Sequence, residues 1–167
     1  MSKIRIFIDT SIYIAWLKKE SEYNNIEKVI KFIKDGKIEV VTTLDIMLEI
    51  IRGGNGYKDW ERIDENFAPI KHYLTPNFII GDTNGSYKAY LDKSKKEWES
   101  LSSLIKNNTD TKHFISGKNL GTVKYFLALD NKFFNKMRSQ GKNFLVTTQL
   151  IKPSALIRVL NKQGDNF

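Results

Sequence analysis

Four carboxylates in this 167-residue chain stand where their neighbours make a merely solvated acid hard to explain. Asp9 ends the apolar run IRIFI and is followed at once by Thr10 and Ser11. Asp130 ends YFLAL in the same manner, Glu49 sits among Ile46, Met47, Leu48, Ile50 and Ile51, and Asp110 heads the segment TKHFI. Brought together, such acids cannot all stay ionised without cations, because their repulsion raises their pKa values until protons are taken up. A hard divalent ion relieves that repulsion, and Mg2+ or Mn2+ suits an all-oxygen ligand set. Zinc suits it less in a chain with no Cys and two His. The natural chemistry is hydrolysis of a phosphodiester, the ion activating water and neutralising charge on the phosphate. A plainer account of the first acid is that Thr10 or Ser11 caps a helix and Asp9 favours its positive end.

To act as one group the acids must be carried to one edge of a sheet. The apolar runs at residues 4–8, 38–41 and 123–129 read as short buried strands, with 144–146 as the last and 78–80 as a further strand or connection. Between them lie helical patterns. Ile12 to Leu17 follows the first strand, and Ile26, Val29, Ile30 and Ile33 keep helical spacing up to Gly36. Thr42 and Asp45 have the form of a capping box for a helix through Ile51 that carries Glu49. Thr109 and Asp110 open another, Phe133, Phe134 and Met137 mark a short one, and Pro153 suits the first turn of a terminal helix. Strand and helix alternation predicts a three-layer α/β/α domain around a central, mostly parallel sheet, spanning residues 1–167, with a less typical helical middle segment at about 57–105. Ligands of such sheets bind beyond the carboxyl ends of the strands, where Asp9 and Asp130 stand.

The net charge of +8 favours a polyanionic partner over an acidic one. The absence of Cys excludes disulfides and thiolate metal sites. The N-terminal apolar run is broken by Arg5 and Asp9, so neither a signal peptide nor a membrane span is expected, and the expected location is cytoplasmic.

The blocks IRIFIDTSIYIAWL, TTLDIMLEII, TDTKHFISGKNLGTVKYFLALDNKFF and FLVTTQLIKPSALI, in that order, resemble the successive blocks of PIN-domain proteins, a family that includes the ribonuclease toxins of toxin–antitoxin pairs. The resemblance covers both ends of the chain well and residues 57–105 poorly. It implies a Mg2+- or Mn2+-dependent nuclease acting on RNA, with Asp9, Glu49, Asp110 and Asp130 as catalytic and metal-binding acids and Thr10 or Ser11 as the adjacent hydroxyl. A homodimer and a cognate antitoxin are implied in the same way. Two departures stand out: Ala128 occupies a position where the family often has Thr or Ser, and Asn131 follows Asp130 where a further acid sometimes occurs.

Other residues are weighed against plainer roles. His113, three residues after Asp110 and beside Phe114, reads first as structural, and Lys112 as a partner for a carboxylate or a phosphate. Asp45 reads as a helix-start acid and Asp82 as turn chemistry, while Gly53, Gly54 and Gly56 lack the rest of a phosphate loop. Tyr57, Trp60, Tyr87 and Tyr90 suit packing more than base stacking, and Lys93, Lys95 and Lys96 a solvated face. Apolar residues of the early helices are the expected dimer face. The alternatives to a nuclease are a non-catalytic RNA-binding module and a small-molecule phosphatase with Asp9 as nucleophile, the latter opposed by Ser11 standing where a second Asp is usual.

Overall fold

The computed structural model describes residues 3–43, 46, 49, 86–120 and 123–164. Within them four strands form an all-parallel sheet and six α-helices surround it. The order is β1 (Ile4–Ile8), α1 (Thr10–Leu17), α2 (Tyr23–Lys34), β2 (Ile38–Val41), α3 (Ser86–Ile105), α4 (Asn108–Asn119), β3 (Tyr125–Leu127), α5 (Asn131–Ser139), β4 (Gln149–Ile151) and α6 (Pro153–Gly164). Spatially the strands run β2-β1-β3-β4. The fold is the expected α/β class, three layers with the sheet in the middle.

Side-chain alternation along the strands divides the core between the two faces. Phe7 on β1 and Phe126 on β3 are register partners, and their rings stack with centroids 5.2 Å apart. Phe114 of α4 and Phe133 of α5 meet Phe126 edge-on or tilted, so α4 and α5 cover this face, with α3 packed on α4. Ile6 and Ile8 point the other way, towards the layer in which α2 packs against α1 and α6. Every one of these strand side chains is fully buried. A parallel strand covered on both faces must read as a continuous apolar run, which is why IRIFI and YFL do.

The N-terminus of α6 is capped from far away. Pro153 has no N–H to leave unsatisfied at the first turn, and the Glu22 carboxylate accepts from the Ser154 backbone N–H (3.1 Å) and hydroxyl (3.0 Å). Glu22 itself adopts φ +67°, a left-handed conformation uncommon for a residue with a Cβ. Trp16 is core, as expected, with its indole N–H donated to Glu27.

Two expectations are corrected. Residues 142–145 form a 3-10 turn, not a strand leading into Val146, which is 81% exposed; the last strand is Gln149–Ile151. Its place is set by pairing, Gln149 opposite Tyr125, and by Thr148, whose buried hydroxyl donates to the Val123 carbonyl at 2.7 Å. The strand expected over 123–129 is paired only over Tyr125–Leu127. Among the described residues, the exposed large apolar side chains are Leu91, Leu104 and Val146, none on the early helices. The possible strand at 78–80, the glycine cluster, Asp45, Tyr57, Trp60 and Asp82 lie outside the described residues. No helix among the described residues is long and apolar enough to cross a membrane.

Gly117 on α4 lies directly over the Phe7 ring, where an added Cβ would come within 2.6 Å of the ring carbons. In an open helix Gly→Ala would stabilise by about 1 kcal/mol. Against a fully buried ring stacked on Phe126 the overpacking cost of about 1–3 kcal/mol dominates. Gly117→Ala is therefore expected to lower the thermal midpoint by several degrees; a rise in calorimetry would show that the two elements are not so closely packed.

Candidate active site

β1 lies between β2, which follows it in sequence, and β3, which arrives after the long crossover through α3 and α4. The chain thus leaves β1 in one direction and returns on its other side, which makes the carboxyl ends of β1 and β3 a topological switch point. Asp9 occupies it. Its backbone N–H donates to the Leu127 carbonyl at 2.9 Å, which extends β1 by one residue beside β3. Asp9 is also the N-cap of α1, its carboxylate accepting from the Ser11 backbone N–H at 3.1 Å. The capping role anticipated for Thr10 or Ser11 is thus filled by Asp9 itself.

Three consecutive side chains at this turn each hold a different element. Asp9 Oδ1 pairs with His113 Nδ1 of α4 at 3.1 Å. Thr10 Oγ1 donates to Glu49 Oε2 at 2.7 Å, and Glu49 is in helical conformation, as expected, though only half-buried. Ser11 Oγ donates to Asp9 Oδ2 at 2.6 Å and accepts from the Leu129 backbone N–H at 3.3 Å, which ties it to the end of β3. His113 Nε2 lies 3.6 Å from Glu49 Oε1, so the imidazole bridges two of the four acids.

The charges are set by this wiring. Burial alone would raise the Asp9 carboxyl, since only 6% of the residue is exposed, yet hydrogen bonds from His113 and Ser11 and the His113 charge outweigh it and hold Asp9 below its ordinary value. Burial alone would lower His113, and its hydrogen bond to Asp9, with the charges of Asp9, Glu49 and Asp110, reverses that and raises it. Protonated, the ring donates from Nδ1 to Asp9 and sets its positive charge beside Glu49, the role of a counter-ion. Below them Tyr13, fully buried, is pushed up by burial and by the Asp9 charge, although its contact with Thr42 works against this.

Asp110 sits one helical turn before His113. Asn107 caps α4 by accepting from the Asp110 backbone N–H at 2.9 Å and donates its amide to Asp110 Oδ2 at 2.6 Å. The helix thus opens at Asn108, one residue ahead of the expected Thr109–Asp110 start. The Asp110 carboxyl is raised, first by burial and then, against the Asn107 bond, by the charges of Asp9 and Asp130. Asp130 is exposed and caps α5, its carboxylate accepting from the Lys132 and Phe133 backbone N–H groups at 2.7 and 3.3 Å.

Asp9 and His113 are therefore hydrogen-bonded, Glu49 is held by Thr10 with its carboxylate 3.6 Å from the ring, and Asp110 feels the charges of Asp9, His113 and Asp130. Among the described residues, no three His, Asp or Glu side chains close on one point as a metal-binding group. The donor chemistry nevertheless fits a hard divalent ion, because Asp110 carries a charge that two neighbouring carboxylates disfavour and one imidazole only partly offsets. Asp9, Glu49, Asp110 and Asp130 are the residues that would hold it. Ala128 is buried behind this edge, and Lys112 is exposed on α4. The contact of His113 with Asp9 was not legible in the sequence, and Asn107 was missed; the one signal for Asn107 was its position three residues before Asp110, the spacing of a cap. Tyr90, with its hydroxyl donated to the Ser116 carbonyl at 3.1 Å, packs α3 on α4.

The pair of Asp9 and His113 makes stability depend on pH. The lowered Asp9 contributes above about pH 3.8 and its contribution is lost as pH falls through its folded value, while the raised His113 contributes fully below about pH 6.5 and is lost as pH rises through its own. Thermal stability should thus peak between these limits, and His113→Ala, which strands a buried carboxylate, should cost about 3–5 kcal/mol within that window and flatten the alkaline fall. Asp110 has the opposite sign, since its raised carboxyl costs stability above about pH 3.8. Asp110→Asn should raise the melting temperature at neutral pH in chelator; no change or a fall would mean that Asp110 is not crowded by its neighbours. Neither a known family model nor a curated protein matches the chain, so the chemistry of this edge rests on its own residues.

Proposed function

We propose that this chain is a Mg2+- or Mn2+-dependent endoribonuclease of the PIN-domain kind, the toxin of a toxin–antitoxin pair. The observation that carries this reading is a buried Asp9, held below its ordinary value at the switch point of a parallel sheet, with Asp110 crowded by the charges of both Asp9 and Asp130. A bound divalent ion supplies an activated water and neutralises charge on the phosphate. The chain's own residues supply the rest. Ser11 and His113 keep Asp9 ionised and oriented, Thr10 holds Glu49, and Asn107 fixes Asp110. His113 is a positioning residue in this scheme. Lys152, at the end of β4 on the same edge and bonded to Asn131, adds positive charge beside Asp130. The net charge of +8 supports RNA as substrate. A cytoplasmic location, a homodimer and a cognate antitoxin belong to the same reading.

One observation favours a second reading, a PIN-like module that binds RNA without turnover. Both Asp9 oxygens are engaged, one by His113 and one by Ser11, so the imidazolium provides the countercharge that a metal ion would bring. The same engagement opposes a phosphatase with Asp9 as nucleophile.

Incubation of a mixed RNA pool with the protein in Mn2+, in Mg2+ and in chelator separates these readings. Metal-dependent cleavage that drops by about 100-fold or more in Asp9→Asn and Asp130→Asn is expected. RNA retained without cleavage by the unaltered protein would transfer the assignment to the binding module. Accumulation of a covalent aspartyl-phosphate would instead identify a phosphatase.

A further inference from the structure

The edge of the sheet opposite the acids carries a different pattern. Each of the three adjacent strands β2, β1 and β3 begins immediately after an exposed lysine: Lys37, Lys3 and Lys124. The register places Ile4 opposite Ile38, which puts Lys3 beside Lys37, and the Lys124 backbone N–H donates to the Arg5 carbonyl, which keeps Lys124 on the other flank of β1. The three cross the amino-terminal edge on adjacent strands about 4.8 Å apart, Lys124 level with Arg5 and so two residues further along than Lys3, with the Arg5–Glu39 ion pair at 3.0 Å beside them. The Lys3 ammonium reaches the turn before Lys37, within 3.6 Å of where a Cβ on Gly36 would lie.

A cleft stands at each end of the row. The one beside Lys37, about 300 Å³, adds Lys28 and Lys31, with the Phe32 ring 5.2 Å from the Lys37 ammonium and the amide of Asn161 on its wall. The one beside Lys124, about 380 Å³, adds Lys93 and Lys118. Glu97 takes up much of the charge of this second pair, at 2.6 Å from Lys118 and 3.9 Å from Lys93. Asp35 is the carboxylate lining the first cleft. Positive charge therefore remains in excess along the row, and a line of like charges costs free energy unless an extended anion covers it.

We propose that this edge is a second surface for single-stranded RNA, remote from the acids, on which Lys37, Lys3 and Lys124 engage successive phosphates and the Phe32 cleft receives a base. A row of cations beside an aromatic ring and an amide is the chemistry that grips a strand without reading its sequence. The choice of RNA among polyanions rests on the ribonuclease reading; the presence of an anion surface does not. The two edges then divide the work, one holding the strand and one cutting it.

The test measures binding of a fluorescein-labelled oligoribonucleotide of about 12 nucleotides, in chelator, over a range of salt concentrations. Two proteins are compared with the unaltered chain: Lys3→Gln/Lys37→Gln/Lys124→Gln, and a charge-matched control Lys95→Gln/Lys96→Gln/Lys106→Gln with all three changes at exposed positions. Three lost phosphate contacts at roughly 0.7 each should make the log K against log salt slope shallower by about 2 in the row variant. The control should keep the original slope. An unchanged slope in the row variant, or an equal change in the control, overturns the proposal. So does a row-dependent affinity for poly-glutamate with no row dependence for RNA, which would assign the edge to an acidic protein. If RNA binding depends on the row and no metal restores cleavage, the proposal stands and the ribonuclease reading falls. Because all three lysines are exposed, melting curves of the row variant should match those of the unaltered chain.

Discussion

A carboxylate with almost no exposure is the constraint on which the rest of this structure depends. Moving an ion of that size out of water costs several kcal/mol even after relaxation, and Asp9 stays ionised because the chain surrounds it with compensation from four directions. The N-terminus of α1 meets it from its own side, Ser11 from the next turn, His113 from across the sheet, and the extension of β1 beside β3 fixes its backbone. Each compensating group comes from an element whose position is itself set by the core. α4 can bring His113 to Asp9 only because Gly117 lets it close down on Phe7. Close packing on one face of the sheet and charge compensation at its end are thus one arrangement.

Much of the framework was legible in the sequence, and the reason is physical. Strands buried on both faces leave little choice of residue, so IRIFI, IEVV and YFL announce themselves, and amphipathic helices such as α2 and α5 do so by their spacing. β4 escaped because only the last of its three residues, Ile151, is buried. Its exposed Gln149 breaks the apolar pattern, whereas the more apolar FLV just before it turns outward at Val146. The candidate acids were legible as residues out of keeping with their surroundings. What each one touches was not. His113 looks like a core residue from its neighbours Phe114 and Ile115, and it is one by burial; only the tertiary fold shows that its ring faces two carboxylates. Asp130 gave the same strand-end signal as Asp9 and yet lies exposed as a helix cap, because β3 ends at Leu127 and the chain has two more residues in which to turn outward.

An all-parallel sheet has two chemically different ends, and this chain uses both. Every strand delivers its last residue to one edge and its first to the other, so a bias in the residues flanking the apolar runs becomes a separation of charge across the molecule. Lysine precedes three strands, while acids come after two of them. An antiparallel arrangement of the same segments would have interleaved the two signs.

The contact of Glu22 with the start of α6 spans 132 residues of sequence. Together with the pairing of Ile6 with Tyr125, it means that β1 obtains its second neighbour, and α2 a packing partner, from segments more than a hundred residues further along. Such topology has high contact order, and loop closure must precede the contacts that reward it. During synthesis the acids therefore remain apart until the C-terminal third emerges. The acidic edge is complete only when the segments on both sides of the sheet are present, and a copy that stops short of α6 lacks the partner that holds Glu22 in its left-handed turn.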